Sequence, residues 1–196
     1  MSGGNRGTVL VVDDERPIAE GHAARLEPEY EVVTAYDGAT ALERLTEDVD
    51  VVLLDRRMPG LSGDDVLSRV RENGYACRVA MVTGVEPTLD IIDMGFDDYL
   101  RKPVSGDELR RTVARLYRRA TYDTKLQTYF AIASKVAVLE TEHDRDVLSE
   151  RVEYRSLVER RDQLCEELTT VLDELPAEEG YAVAAGQVPA GDEQDA

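Results

Sequence analysis

Acidic and polar side chains follow four of the five short apolar runs between residues 8 and 119 of this 196-residue sequence. They are Asp13, Asp14 and Glu15 after the first run, Asp55 after the third, Thr83 and Gly84 after the fourth, and Lys102 with Pro103 after the fifth. Each residue alone has an ordinary interpretation as a helix cap, turn former, strand residue or solvated charge. Carboxylates that meet at one sheet edge repel one another, however, unless a divalent cation lies between them. The set therefore predicts a Mg²⁺ site, because Mg²⁺ prefers oxygen ligands and keeps positions open for water and phosphate.

Asp55 is the best candidate for a nucleophile in this set. It stands alone after the apolar run Val51–Leu54, opposite the acidic pair, and carboxylates are known to form acyl phosphates. The hydroxyl of Thr83 and the ammonium of Lys102 can contact the same anion. The chemistry predicted from the residues is phosphoryl transfer to a carboxylate.

Five strands are predicted in the first part of the chain. They are Thr8–Val12, Glu31–Ala35, Val51–Leu54, Arg78–Val82 and Asp98–Leu100. Helical patterns alternate with them, and the runs Val9–Val12 and Val51–Leu54 are continuously apolar, as in central parallel strands covered on both faces. These features predict an α/β fold with a doubly wound, five-stranded parallel sheet, in which reactive groups gather at the carboxyl ends of the strands.

Polar residues mark the starts of several of the alternating helices. Asp37 and Ser62 precede two of them, and Ser105 with Glu108 forms a predicted capping box for the last. Pro87 shortens the fourth helix, which is predicted over Thr88–Met94 only.

Strand signals stop after Arg119, and the chain from Ala120 to Leu175 is charged and free of proline. One predicted helix carries apolar residues from Leu126 to Leu139, and a second carries an apolar edge from Val147 to Leu175 that is interrupted at Glu150 and Arg161. We expect two antiparallel helices joined through the charged stretch 141–146. Pro176 ends the second helix, and the acidic remainder to residue 196 is expected to be disordered.

The charge balance limits the classes of partner. Asp and Glu number 41 against 23 Lys and Arg, for a net charge of −18, which disfavours nucleic-acid backbones and anionic membranes. Residues 120–196 are themselves acidic and lack a helix-turn-helix signature, which argues against direct DNA binding. The two cysteines are far apart, and no run is apolar enough for a membrane span or signal peptide. We expect a soluble, cytoplasmic protein suited to high salt.

Residues 8–119 resemble a response regulator receiver domain of two-component signalling, which has a flavodoxin-like fold. The motifs are Val11-Val12-Asp13-Asp14-Glu15, Leu54-Asp55 followed by Met58-Pro59, Val82-Thr83-Gly84, and residues 95–103 with the sequence GFDDYLRKP. The resemblance implies that a sensor histidine kinase phosphorylates Asp55 and that the protein is a phosphoacceptor rather than an enzyme.

The resemblance also assigns roles to individual residues. Asp13, Asp14 and Asp55 would bind Mg²⁺ together with the backbone carbonyl of Arg57. The residues at the aspartyl phosphate would be Thr83, Gly84, Lys102 and Pro103, with a cis bond between the last two and with Tyr99 as the aromatic switch residue. The region from Tyr122 to Leu175 resembles the HalX domain of haloarchaeal regulators, on motifs that include residues 129–131 and 139–140. The implied domains are residues 8–119 and 120–175, after a flexible stretch at 1–7 and before the tail at 176–196.

One alternative function accompanies this interpretation. A Mg²⁺-dependent phosphatase or phosphotransferase of the haloacid dehalogenase type also uses an aspartyl nucleophile. The motif of that family has a second Asp two residues after the nucleophile, where this chain has Arg57. The helical region is expected to form a homodimer or to bind a helical partner protein, and the family resemblance implies a role in transcription regulation. His22 and His143 lie outside the strand ends and are expected at the surface.

Overall fold

A five-stranded parallel sheet forms the centre of the first part of the molecule in the computed structural model, which describes residues 6–87, 91–92 and 94–174. The strands are β1 (Thr8–Val12), β2 (Glu31–Ala35), β3 (Val49–Leu54), β4 (Arg78–Thr83) and β5 (Asp98–Arg101). Their order in the sheet is β2-β1-β3-β4-β5, and every neighbouring pair is parallel. The five predicted strands and the predicted sheet are confirmed.

Apolar residues on both faces of the sheet explain why it is covered on both sides. In β1, Leu10 and Val12 point into one buried cluster, while Val9 and Val11 point into another. The side chains of successive strand residues alternate between faces, so a continuously apolar strand needs helices above and below. The doubly wound arrangement follows from this pattern.

Six helices are present among the described residues. They are α1 (Arg16–Leu26), α2 (Gly38–Arg44), α3 (Gly63–Glu72), α4 (Gly106–Glu142), α5 (Arg145–Ser149) and α6 (Val152–Glu174). At the start of α2, Asp37 accepts a hydrogen bond from the Thr40 amide at 2.8 Å. Ser62 and Asp65 form a reciprocal capping box at the start of α3, and the Glu108 amide donates to Ser105 Oγ at 3.2 Å. These polar caps satisfy backbone amides that have no partner within the helix.

The helix α4 continues through the position where the sequence suggested a change of unit. It has 37 residues and contains neither proline nor glycine after Gly106. The change at Arg119 is therefore one of composition, and nothing in the backbone chemistry ends the helix there. The helix predicted over Thr88–Met94 lies largely outside the described residues, of which 91 and 92 form a short 3₁₀ turn.

The chain divides into two compact units, residues 1–120 and 121–196. Within the second unit, Lys125 Nζ of α4 lies 2.9 Å from Glu167 Oε2 of α6, and the Tyr154 hydroxyl of α6 donates to Glu140 Oε1 at 2.8 Å. A residue early in this part of α4 thus contacts one late in α6, and a residue late in α4 contacts one early in α6. The predicted antiparallel helical pair is confirmed.

The second helix of this unit begins later than the sequence indicated. Val147 lies in the short helix α5 and is 52% exposed, while its neighbour Leu148 is 5% exposed. Residues 150–151 are not helical and separate α5 from α6, which begins at Val152. The interruption expected at Glu150 therefore coincides with the end of α5. The predicted helix end at Pro176, the tail at 176–196 and most of the N-terminal stretch at 1–7 lie outside the described residues.

His22 is buried at 6% exposure on the inner side of α1, beside Ala19, Ala23 and Leu26 at helical spacing. The expectation that it lies at the surface is wrong, because its position in α1 falls on the apolar face. His143 is exposed.

No helix among the described residues is long and apolar enough to cross a membrane.

Candidate phosphoacceptor and metal site

Three carboxylates meet at the carboxyl ends of β1 and β3. One oxygen from each of Asp13, Asp14 and Asp55 lies within 4.8 Å of the others. Asp13 is 2% exposed and Asp55 is 6% exposed, while Asp14 is the least buried of the three. The cluster forms because β1 and β3 are hydrogen-bonded neighbours, and the Asp55 amide itself donates to the Val12 carbonyl at 2.9 Å.

Lys102 brings a positive charge to this cluster from the end of β5. Its Nζ lies 2.7 Å from Asp13 Oδ2 and 3.4 Å from Asp55 Oδ1. Its amide donates to the Thr83 carbonyl at 2.9 Å, which places β5 beside the end of β4. The Lys102–Pro103 peptide bond is cis. One ammonium therefore bridges two of the three carboxylates.

The ionisation of the cluster reflects burial and charge together. Burial, the largest influence, raises the pKa of Asp55; Lys102 and Thr83 oppose this effect, and the charge of Asp13 adds to it. Burial alone would lower the pKa of Lys102, but the hydrogen bonds and charges of Asp13 and Asp55 hold it above its usual value. Lys102 is thus held in its charged form beside the carboxylates.

Thr83 is 1% exposed at the end of β4, and its side chain hydrogen-bonds to Asp55. Its Oγ1 also accepts a hydrogen bond from the Val85 amide at 3.3 Å. The Tyr99 hydroxyl donates to the Val85 carbonyl at 2.7 Å, and the Tyr99 ring packs against Phe96 with 5.7 Å between centroids. The loop after β4 is therefore tied both to the site and to the aromatic ring on β5. Gly84, the first residue of that loop, is exposed.

The loop after Asp55 borders a cavity of about 690 Å³. Arg57 is exposed and lines this cavity together with Asp14, Met58 and Val85. Of the three clustered carboxylates, Asp14 lines this cavity. Sequence reasoning brought Asp13, Asp14, Asp55, Thr83 and Lys102 to one place, and the structure places them there.

Two residues that support this loop were missed in the sequence. Arg56, the residue after the candidate nucleophile, binds both carboxylate oxygens of Asp64 through Nε and Nη2 at 3.1–3.2 Å. The Gly63 amide donates to the Arg56 carbonyl at 2.9 Å, and a Cβ on Gly63 would lie 2.2 Å from the Asp55 carbonyl oxygen. The start of α3 therefore packs directly on the backbone of Asp55. A glycine directly after the Ser62 cap was the only available signal.

The donor set fits Mg²⁺. All three ligands are carboxylates, which are hard oxygen donors, and the least buried of them faces open space where water can complete the coordination. Lys102 offsets only part of the negative charge of the cluster, because one ammonium faces three carboxylates.

Comparison with known proteins agrees with this geometry. Residues 9–114 match the response regulator receiver domain, which is more than half of the chain. The chain belongs to the response regulator receiver domain family. Receiver domains are generally phosphoacceptors rather than enzymes, and they bind Mg²⁺ in an acidic pocket. Residues 118–184 match the HalX domain. Both resemblances noted in the sequence are confirmed.

Relatives and solved structures resemble the chain over different lengths. A candidate transcriptional regulator of Haloferax volcanii is 51% identical over 140 residues, which are 71% of this chain and 24% of that protein. The transcriptional regulatory protein CutR of Streptomyces coelicolor is 43% identical over 118 residues, covering 58% of this chain and 54% of CutR. This receiver chain thus spans only a quarter to about half of these curated relatives.

A crystal structure of a receiver domain from Clostridium thermocellum is similar with a TM-score of 0.54 and 32% identity. The similarity covers 59% of this chain and 97% of that chain. The matched portion corresponds to a whole receiver domain, so the second unit lies outside this similarity.

Proposed function

We propose that this receiver protein is a phosphorylation-controlled response regulator in which Asp55 accepts a phosphoryl group from a sensor histidine kinase. The observation that carries the proposal is the junction of Asp13, Asp14 and Asp55 with Lys102, whose Nζ is 2.7 Å from Asp13 and 3.4 Å from Asp55. A buried carboxylate beside an ammonium and a hydroxyl has the groups needed to accept and hold a phosphoryl group.

Asp13, Asp14 and Asp55 would hold Mg²⁺, together with the backbone carbonyl of Arg57. When bound, the ion supplies charge neutralisation for the phosphoryl oxygens as they approach the carboxylates. One oxygen of Asp55 attacks the phosphorus; the O–P bond forms as the N–P bond to the donor histidine breaks, and the imidazole leaves with the electron pair of that bond. Lys102 then pairs with the phosphate, and Thr83 donates a hydrogen bond to it.

The new phosphate changes the contacts of the loop after β4. A phosphoaspartate carries about one more negative charge than the carboxylate at neutral pH, so it attracts the Thr83 hydroxyl and the Lys102 ammonium more strongly. Movement of Thr83 and Gly84 alters the loop that the Tyr99 hydroxyl holds through the Val85 carbonyl. Tyr99 would therefore report the phosphorylation state to the outer surface of β5, as a shift between two populated conformations.

The second unit is the proposed output. Its helices would form a homodimer or bind a helical partner protein, and the regulated process would be transcription, as the name of CutR suggests for that relative. Direct DNA contact is not part of the proposal, because residues 120–196 are acidic.

The main alternative is a Mg²⁺-dependent phosphatase that also uses Asp55 as nucleophile. Such an enzyme needs a general acid beside the leaving group, and the position two residues after Asp55 holds the exposed Arg57. A guanidinium cannot donate a proton at neutral pH. A self-catalysed phosphoacceptor therefore agrees better with the residues.

Incubation of the full chain with Mg²⁺ and acetyl phosphate in high salt tests the proposal. We expect a labile mass gain of about 80 Da, the increment of one phosphoryl group, in the parent chain and in Asp48→Asn, an exposed carboxylate seven residues upstream. The gain should be absent in Asp55→Asn. Equal phosphorylation of Asp55→Asn would refute the assignment, and repeated turnover of a phosphomonoester would favour the phosphatase.

A further inference from the structure

The part of α4 that belongs to the second unit carries an exposed strip without charged residues. The strip consists of Gln127, Phe130, Ala131, Ser134, Ala137, Val138 and Thr141, all of which are exposed, and the exposed charged residues Lys135 and Glu142 lie at its border. Spacings of three and four residues place them on one side of the helix. Phe130 is 59% exposed and Val138 is 63% exposed, so two large apolar side chains of one helix side face water together.

The exposed side of α6 is more highly charged, although Val152, Ser156 and Gln163 are exposed there too. It carries Glu153, Arg155, Glu159, Arg160, Asp162 and Glu166. Charged residues of this kind keep a helix face in water, and the chain has them in abundance at a net charge of −18. The absence of charge along the strip of α4 is therefore a local property of that face. It indicates a surface that is covered in the functional state.

The order of residues in the strip is symmetric about Ser134. Phe130 and Val138 stand four residues to either side of it, and Ala131 and Ala137 stand three residues to either side. In an antiparallel pair of identical helices crossing at Ser134, Phe130 of each copy meets Val138 of the other, and the small residues between them allow close approach. A twofold interface requires such self-complementarity, since each contact occurs twice.

Charge also favours a second copy over other partners. Two chains of net charge −18 repel each other, and the repulsion is smallest where the contacting faces carry no acids. At its border the strip offers a partner helix one cation, Lys135, and one carboxylate, Glu142, so neither a basic nor an acidic helix is favoured. A symmetric strip that is itself uncharged and carries large apolar side chains at Phe130 and Val138 fits a second copy of itself.

We propose that the strip from Gln127 to Thr141 on α4 is the dimer contact of the output unit and that it binds the same strip of a second copy in antiparallel orientation. The inference rests on the proposed function in one respect, since it takes the helical unit to be the output of the receiver. It adds the face, the partner and the relative direction of the two helices.

Sedimentation equilibrium of the full chain in high salt, with and without acetyl phosphate and Mg²⁺, measures the association. We expect a species of twice the 21.8 kDa chain mass in at least one of the two conditions. Phe130→Glu should weaken the dimer about tenfold or more, because the apolar contact with Val138 of the other copy is replaced by a charge that occurs twice. Thr169→Glu, an exposed change of equal charge on α6, should leave it unaltered. A monomer in both conditions, or equal effects of the two variants, would overturn the proposal.

Cross-linking determines the direction and the occupant. In a Cys165→Ser background, which leaves only the buried Cys77, a short bis-maleimide should join Ser134→Cys chains to one another. It should also join Phe130→Cys to Val138→Cys in a mixture more strongly than either variant to itself. Preferential self-joining of Phe130→Cys would indicate parallel helices and refute the antiparallel contact. Residues 175–196 of the same chain are the competing occupant of the strip. If a chain ending at residue 174 dimerises and the full chain does not, that segment covers the strip, and the proposed contact between copies is refuted.

The two proposals can fail separately. Phosphoryl uptake by Asp55 in a chain that never dimerises leaves the phosphoacceptor proposal intact and removes the interface. Dimerisation through the strip without phosphoryl uptake at Asp55 would leave the interface intact and refute the phosphoacceptor proposal. Phe130→Glu should take up phosphate as the parent does, since Phe130 lies in the second unit.

Discussion

The α-carbon of Gly63 faces the carbonyl oxygen of Asp55 so closely that a Cβ at Gly63 would lie 2.2 Å from that oxygen. The first residue of α3 is thus packed on the backbone of the candidate phosphoacceptor. No real Cβ contact is this short, so a side chain at Gly63 must displace either the loop or the helix. The position of Asp55 depends on a residue that has no reactive group.

Gly63→Ala should therefore destabilise the protein and misplace Asp55. We expect a loss of about 1–3 kcal/mol in the free energy of unfolding, the range for overpacked sites, together with slower phosphoryl uptake. Urea unfolding and the acetyl phosphate assay measure the two effects. Gly21→Ala in α1 is the control, because its Cβ would meet only the end of the Arg25 side chain at 3.4 Å. Equal stability of the two variants would contradict the close packing at Gly63.

Lys102→Met should be far more destabilising than the same change at the neighbouring Arg101. Lys102 is 17% exposed and lies between Asp13 and Asp55, so its loss leaves buried like charges facing each other, at about 3 kcal/mol. Arg101 pairs with Glu86 where both side chains are largely exposed, which is worth about 0–1 kcal/mol.

Unfolding of both variants with a chelator and then with Mg²⁺ checks this prediction. Mg²⁺ should recover part of the loss in Lys102→Met, because a cation between the carboxylates replaces the missing ammonium. It should stabilise Arg101→Met by about as much as it stabilises the parent. Similar losses in the two variants without Mg²⁺ would disprove the bridging role of Lys102.

His22 should make the protein less stable as the solution is acidified below pH 6.5. Burial lowers the pKa of this imidazole below its usual value of 6.5, against the opposing charge of Asp13 and with smaller contributions from Arg25 and Lys102. The unfolded chain then binds a proton at a higher pH than the folded chain. Stability from this residue is complete above about pH 6.5 and falls as the pH drops towards the lower folded pKa.

Urea unfolding between pH 8 and pH 5.5 measures this dependence. The free energy of unfolding of His22→Gln should fall less steeply on acidification than that of the parent. The difference in slope should be at most about 1.4 kcal/mol for each pH unit. His143→Gln, which keeps the buried imidazole, should retain the dependence of the parent. An unchanged profile in His22→Gln would mean that His22 does not titrate differently in the folded and unfolded chains.

Tyr99→Phe should loosen the loop after β4 without changing the phosphoacceptor. It removes the hydrogen bond from the Tyr99 hydroxyl to the Val85 carbonyl and should cost about 1 kcal/mol. We expect faster amide hydrogen exchange at residues 84–86, and phosphoryl uptake at Asp55 close to that of the parent. Unchanged exchange in the loop would show that the hydroxyl does not hold it.

Leu164→Ala should destabilise the second unit selectively. Leu164 is 1% exposed in α6, and truncation of such a residue leaves a cavity that costs about 2–5 kcal/mol. Val152→Ala removes an apolar side chain that is 65% exposed on the same helix and should have little effect. Thermal unfolding followed by circular dichroism compares them, and equal midpoints would contradict the helical packing.

The sheet and the reactive cluster were predictable because they depend on short, local patterns. Continuous apolar runs such as Val51–Leu54 predict buried parallel strands, and in that topology the residues that follow, such as Asp55, must share one edge. The burial of His22 was also encoded, since it falls three residues after Ala19 and four before Leu26, but a single imidazole gives no signal unless the helix face is examined.

Other features depend on contacts between distant segments and could not be deduced. The pairing of Arg56 with Asp64 and the approach of Gly63 to Asp55 arise from the path of the loop between β3 and α3. The continuity of α4 past Arg119 was missed for a different reason. A change from strand-rich to helical composition resembles a boundary, although residues 107–142 contain no helix breaker.

The outer strands of the sheet influence how copies of the protein can meet. The strand β5 has only four residues, from Asp98 to Arg101, and β2 has five and begins at the exposed Glu31. Short edges with charged ends offer little backbone for another chain to extend by strand addition. Contacts between copies are thus expected at helix surfaces rather than at the sheet edges, which leaves the hydrogen-bonded backbone that supports Asp13 and Asp55 undisturbed.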